Sequence, residues 1–317
     1  MKNPVPNSNT LFQQARSLYQ AGRVIEALAG FNRVIALNPN HAGAHFNRGK
    51  VLEDLARFEE ALANFNRAIA LQPAVHNGYF RRGNLLSTLK QWDDALVNYE
   101  RVIALKPDFA QAHLNRGHTL CKLNRVADAL VSYDRAIELV PNFALAYSNR
   151  GHALQDAKRL DEALASYDRA IELKPDFAEA HWGKSTLKLL TGDYAQGWEL
   201  HEWRLKTKAY AQISRTLRQP QWLNKEPVSG KTLLIHTEIG LGDTIQLCRY
   251  VPMVEKLNAQ VILEAPSSLV TLLSTLGGNL TIVEKGEPLP DFDLHCPTMS
   301  LPWAFKTTIA TVPANIP

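Results

Sequence analysis

Five prolines, Pro39, Pro73, Pro107, Pro141 and Pro175, stand 34 residues apart, a period that points to stacked units rather than one closed core. Other columns keep the same period. Small residues recur at Ala15, Gly49, Gly83, Gly117 and Gly151, and again at Ala27, Ala61, Ala95, Ala129 and Ala163. An aromatic column runs through Phe31, Phe65, Tyr99, Tyr133 and Tyr167. Each unit has room for two antiparallel helices. The small residues let their axes approach, the aromatic fills the space between one pair and the next, and the proline stops the second helix. One pair cannot bury its own apolar face, so stability must come from stacking neighbours. The expected fold is mainly α: a right-handed helical solenoid over residues 8–206, with a partial α/β segment after it. Five units are regular. The sixth, from Ala178 to about Lys206, keeps Gly192, Asp193 and Tyr194 at its turn but has Gly197 and His201 in the alanine and aromatic columns and lacks the proline. It reads as a cap that couples the solenoid to the C-terminal segment.

Composition matters mainly for what it excludes. Hydrophobic content of 45% with 21% charged residues describes a folded, water-soluble chain. No apolar run reaches the ~18–20 residues of a membrane span. The first ten residues are polar and lack a signal-peptide core. Cys121, Cys248 and Cys296 form no C-x-x-C pair and read as reduced thiols, so a cytoplasmic location is expected. The net charge of +4 is uneven, with its basic excess at Arg204, Lys206, Lys208, Arg215, Arg218 and Lys225. That segment, 207–228 with Arg204 and Lys206 at its threshold, reads as a solvated basic linker. It lacks the dense stripe with interleaved aromatics of a nucleic-acid binder.

The columns together resemble the tetratricopeptide (TPR) repeat, most fully over Ala144–Phe177. The resemblance implies a concave groove lined by the first helix of each repeat. One column on that face reads Asn47, Arg81, Asn115 and Asn149, and three residues later stand Lys50, Asn84, His118 and His152. An amide both donates and accepts, so such a column can pair with an extended peptide whatever its side chains. The pattern is similar to the asparagine ladder of protein O-GlcNAc transferases. The alternative is a row of solvated polar side chains. A carboxylate clamp, a second known use of such grooves, is matched only at Asn47 and Arg81, since Phe12, Arg16 and Asn77 depart from it. A neighbouring column, Arg48, Arg82, Arg116 and Arg150, reads as structural, with stems between helices and guanidinium groups reaching carboxylates. His118 and His152 have no ligand-spaced partners, so no metal is expected.

Beyond about Thr207 the period ends, and Trp203 and Trp222 read as anchors between the two parts. Lys231–His236, Gln260–Glu264, Leu280–Val283 and Phe292–Cys296 read as strands, with helices over Asp243–Leu257 and Ser267–Leu276. This alternation implies a parallel sheet over residues 229–317. The loop after the first strand runs Glu238-Ile239-Gly240-Leu241-Gly242-Asp243-Thr244. It is neither a Walker loop nor a complete G-x-G-x-x-G.

Residues 220–317 resemble the start of the glycosyltransferase-like domain found behind TPR arrays in many bacterial proteins, and Gly240–Thr244 is similar to the Gly-Asp motif of heptosyltransferases. The resemblance implies a Rossmann-like half of a GT-B-type fold. Asp243 would be a candidate base, with Gly240, Gly242 and Thr244 shaping the acceptor side. Asp243 as a helix cap is the other reading, and one carboxylate could do both. The nucleotide-sugar-binding half is not within these residues, so no cofactor is expected unless that half is supplied. Two functions are consistent with these residues. One is a scaffold that holds a peptide or protein and presents it to a transferase-like domain; the other is a sugar transferase within a longer enzyme. An open sheet edge also invites self-association.

Overall fold

The computed structural model describes residues 7–212, 217–238 and 240–314. The chain forms two compact units, Met1–Ser166 and Tyr167–Pro317. Helices come in pairs: α1 (Ser8–Gln20) with α2 (Val24–Leu37), α3 (Ala42–Asp54) with α4 (Phe58–Leu71), and α5 (His76–Thr88) with α6 (Trp92–Leu105). The series continues with α7 (Ala110–Lys122) and α8 (Val126–Leu139), then α9 (Ala144–Asp156) and α10 (Leu160–Leu173). Successive first helices start 34 residues apart. The fold is a TPR solenoid.

Every turn within a pair closes alike. The amide two residues past the first helix's cap reaches back to a carbonyl in its last turn, as in Arg57→Leu52 at 2.8 Å and Arg125→Leu120 at 2.8 Å. The residue between is left-handed in all five pairs, at Gly22, Ala56, Lys90, Asn124 and Lys158, and Gly192 repeats the turn 34 residues further on, with φ from 56° to 88°.

The glycine and aromatic columns pack more directly than their spacing suggests. The ring lies across the glycine of its own pair, not only between pairs. A Cβ added at Gly49 would stand 2.7 Å from Phe65, and one at Gly117 would stand 2.6 Å from Tyr133. The arginine column is structural, as expected. Arg116 donates to Ser132 Oγ of its own pair at 2.8 Å and pairs with Glu100 of the preceding pair at 3.3 Å. Arg150 repeats this with Ser166 at 2.8 Å and Asp134 at 2.6 Å. Arg116 and Arg150 thus each pin two successive second helices to one first helix.

The second unit begins within α10 and contains α11 (Ala178–Leu190), α12 (Tyr194–His201), a 3-10 turn Glu202–Lys206 and the short α13 (Lys208–Ala211). The strands are β1 (Thr232–His236), β2 (Gln260–Ala265), β3 (Leu280–Glu284) and β4 (Leu294–Pro297), all parallel in the order β3-β2-β1-β4. Between β1 and β2 lie α14 (Leu241–Leu247) and α15 (Val251–Glu255); α16 (Ser267–Leu273) precedes β3, and α17 (Leu301–Ala304) comes after β4. Alternate residues Leu233, Ile235, Val261 and Leu263 face a core that holds Tyr250, Val254 and a fully buried Trp222. Trp222 anchors the segment before β1 onto the sheet, and its amide bonds the His295 carbonyl at 2.7 Å. Arg204 corrects the picture of a solvated basic stretch. It is 4% exposed, because its guanidinium is sandwiched between Glu202 and Glu238.

Candidate peptide-binding groove

The first helices of the pairs expose a trough. A cleft of ≈ 510 Å³ takes Phe46 and Lys50 from α3 and Asn77, Phe80, Arg81 and Asn84 from α5. Phe109, Gln111 and Asn115 complete it at α7. A second space of ≈ 260 Å³ shares Asn84 and Asn115 and adds Leu114, His118, Leu145 and Asn149. The structure therefore brings Arg81 together with Asn115 in one cleft, and Asn115 together with His118 and Asn149 in the next. Asn47 and His152 line neither. The Asn47 amide donates to the Gly43 carbonyl one turn back at 2.8 Å, and His152 is solvent-exposed.

The centre of the trough is wired before any partner arrives. Asn84 Oδ1 accepts from Tyr99 Oη at 2.9 Å and from Asn115 Nδ2 at 2.8 Å, while Asn115 Oδ1 accepts from Gln111 at 2.9 Å. Burial pushes the Tyr99 phenol up to about 12, so it stays a donor at neutral pH. Asn84 thus matters as much as the ladder residues. Its signal in the sequence was its place in the same column as His118. An amide oxygen has two lone pairs and the nitrogen two protons, so Asn115 keeps capacity for a peptide backbone. His118 lies against Trp92 at 6.3 Å, and the protein around it holds its pKa below the usual imidazole value.

The second candidate cluster sits at the carboxyl end of β1. Gly240 is left-handed at φ 81° and is the residue from which α14 starts. Asp243 is therefore in the helix's first turn and is not its cap. A Cβ on Gly240 would stand 3.0 Å from Asp243 Oδ2. Thr244 is buried and donates to the Gly240 carbonyl at 3.0 Å, which makes it a structural residue. Gly242 has a helical backbone, and an added Cβ would meet open space. Ile239 lies outside the described residues. Glu238, in the same loop, accepts from Arg204 Nε at 3.0 Å and Nη2 at 2.8 Å and from the Met299 amide at 3.0 Å. Arg204 Nη2 also donates to Ser300 Oγ at 2.9 Å. The crevice between the carboxyl ends of β1 and β4, where open parallel sheets commonly bind ligands, is thus filled by the chain's own guanidinium. Among the described residues no group of three metal-ligating side chains converges.

Profiles described as tetratricopeptide repeat match residues 12–76 and 144–177, and one described as TPR repeat matches 88–124 and 117–158. The chain thus carries tetratricopeptide repeats over residues 12–76 and 88–177. Solved structures share the TPR fold at low identity. A tetratricopeptide repeat protein from Parabacteroides merdae is 18% identical with a TM-score of 0.57, covering 63% of this chain and 79% of its own. Pseudomonas aeruginosa pilF is 16% identical at 0.55, covering 65% and 93%. MamA from Desulfovibrio magneticus, from residue 41 to its end, is 19% identical at 0.52, covering 55% and 99%. Among curated proteins, none matches the sequence. No described helix of the chain is long and apolar enough to cross a membrane.

Proposed function

We propose that the chain is a scaffold that holds an extended peptide segment of a protein partner in the trough along α3, α5, α7 and α9. The observation that carries this reading is the amide network Asn84–Asn115–Gln111, which lies open at the junction of the two clefts. A buried amide network would be a packing device. One on a concave surface presents oriented donors and acceptors to a backbone. Asn115→Ala with Asn149→Ala is expected to weaken binding of peptides selected from a random display library by about tenfold, at one hydrogen bond's worth per amide. Helicity should not change. Equal affinity of the double variant and the parent would remove the ladder from the reading.

A second reading is that the α/β segment is the acceptor half of a sugar transferase, with Asp243 as base, to which the trough presents its partner. The parallel order β3-β2-β1-β4 and the half-exposed Asp243 beside a left-handed Gly240 favour it. The filling of the crevice by Arg204 weighs against it. A thermal-shift screen of nucleotide sugars on the 317-residue chain, with Asp243→Ala as control, decides. We expect no donor to raise the transition, and a donor-specific rise lost in Asp243→Ala would reverse the order of the readings.

A further inference from the structure

We infer that the larger cleft takes a carboxylate-bearing side chain of the partner between Lys50 and Arg81, and that Glu53 is a built-in competitor for that place. The inference rests on the peptide-groove reading and adds the partner's chemistry to it. Two cations line this one cleft and, among the described residues, no carboxylate does. They are close enough that Arg81 helps to lower the pKa of Lys50, second only to burial. An anion placed between them relieves that repulsion.

The chain supplies only a poor substitute. Glu53, one turn along α3 from Lys50, reaches Arg81 at 3.8 Å, within ion-pair range but too far for a hydrogen bond. Its Oε2 is buried and accepts no hydrogen bond among the described residues. Arg81 keeps 41% of its side-chain surface in solvent. A guanidinium binds a carboxylate well when two parallel bonds form, and here neither has formed. Asp54 is not available, because it accepts from Tyr19 Oη at 2.5 Å. Lys50, which lines the same cleft, holds its Nζ over the Tyr19 ring, 4.7 Å from the centroid, and has no carboxylate hydrogen-bonded to it among the described residues. The cations are thus partly compensated and geometrically unsatisfied.

An incoming carboxylate can displace Glu53 from Arg81, while Asn77 and Asn84 offer amide donors beside it. Phe46, Phe80 and Phe109 supply an apolar floor, with the Phe80 and Phe109 rings edge-on at 4.9 Å. The partner that fits is an extended segment with an acidic residue next to a bulky apolar one.

The test uses the full chain and a displayed library of random peptides, selected in parallel on the parent, on Glu53→Gln and on Lys50→Met with Arg81→Met. The best parent-selected peptide and its Glu-to-Gln (or Asp-to-Asn) version are then titrated by fluorescence anisotropy. Acidic residues should be enriched on the parent, more so on Glu53→Gln, and not on the double cation variant, which still selects other peptides. The acidic peptide should bind Glu53→Gln about two- to fivefold more tightly, the range of one exposed ion pair. Its amide version should not distinguish the two proteins. Selection without acidic bias, or weaker binding to Glu53→Gln, overturns the inference and leaves the groove standing. No enrichment over blank support on any of the three proteins overturns both.

Discussion

A left-handed residue at the turn inside each helix pair is free where glycine supplies it and costs about 1–2 kcal/mol where a Cβ is present. Gly22 and Gly192 supply it freely, Asn124 tolerates it, and Ala56, Lys90 and Lys158 do not. Ala56 is exposed, so its methyl gives no packing in return. Ala56→Gly should therefore stabilise the chain, by about 0.5–1 kcal/mol after the larger entropy of an unfolded glycine is set against the relief of strain. Urea titration measures it, and a lower midpoint than the parent's would mean that the turn is not strained. This column was not legible in the sequence, because its backbone conformation repeats while its residue type does not. The glycine column was legible for the opposite reason. Gly49 and Gly117 each lie under a ring that leaves no room for a Cβ, so the constraint reaches the residue type itself.

Among the elements, periodicity and alternation placed the paired helices and the strands, since each carries its own apolar pattern. What alternation could not reveal was the joint between the 3-10 turn Glu202–Lys206 and the end of β1. Arg204 and Glu238 form their bond through the fold, and in the sequence Arg204 looks like any other charge in a basic stretch. The pair is almost wholly buried, with side-chain exposures of 5% and 1%. Removing one partner strands the other charge without water. Arg204→Met is thus expected to cost about 3–5 kcal/mol, and adding Glu238→Gln should recover part of that loss. The double-mutant cycle on urea midpoints reads the coupling. A loss below about 1 kcal/mol would place the pair in the class of solvated surface bridges. The trough shows the same division. Its column positions were readable from the period, but the wiring of Asn84 to Tyr99 and Asn115, and the loose hold of Glu53 on Arg81, depend on side-chain reach.

At the scale of the whole molecule, the two units should respond differently to acid, and the chain carries its own probes to separate them. Trp92 is the single tryptophan of Met1–Ser166, whereas Trp182, Trp198, Trp203, Trp222 and Trp303 all belong to Tyr167–Pro317. Tryptophan fluorescence therefore tracks the second unit, and far-UV circular dichroism is weighted towards the helices of the first. The second unit buries His201, whose pKa falls to about 3 because burial, and then the nearby Arg204 charge, disfavour the imidazolium. Its Nδ1 faces Ser185 Oγ at 3.4 Å, and Nε2 has no partner among the described residues. A histidine in the unfolded chain titrates near roughly 6.5. Between that value and about 3 the unfolded state binds a proton that the folded state refuses, so stability is complete above about pH 6.5 and declines as the pH falls. His113 of the first unit is also buried and lowered, so both midpoints should fall, but His201 departs furthest. The urea midpoint read by tryptophan fluorescence should thus fall from about pH 7 to about pH 5 more steeply than the midpoint read by circular dichroism. His201→Gln, which cannot take up the proton, should flatten the first slope and leave the second unchanged. Parallel slopes in the parent, or a slope unaltered in His201→Gln, would mean that the ring is not held neutral by its burial and that the acid response arises elsewhere in the fold.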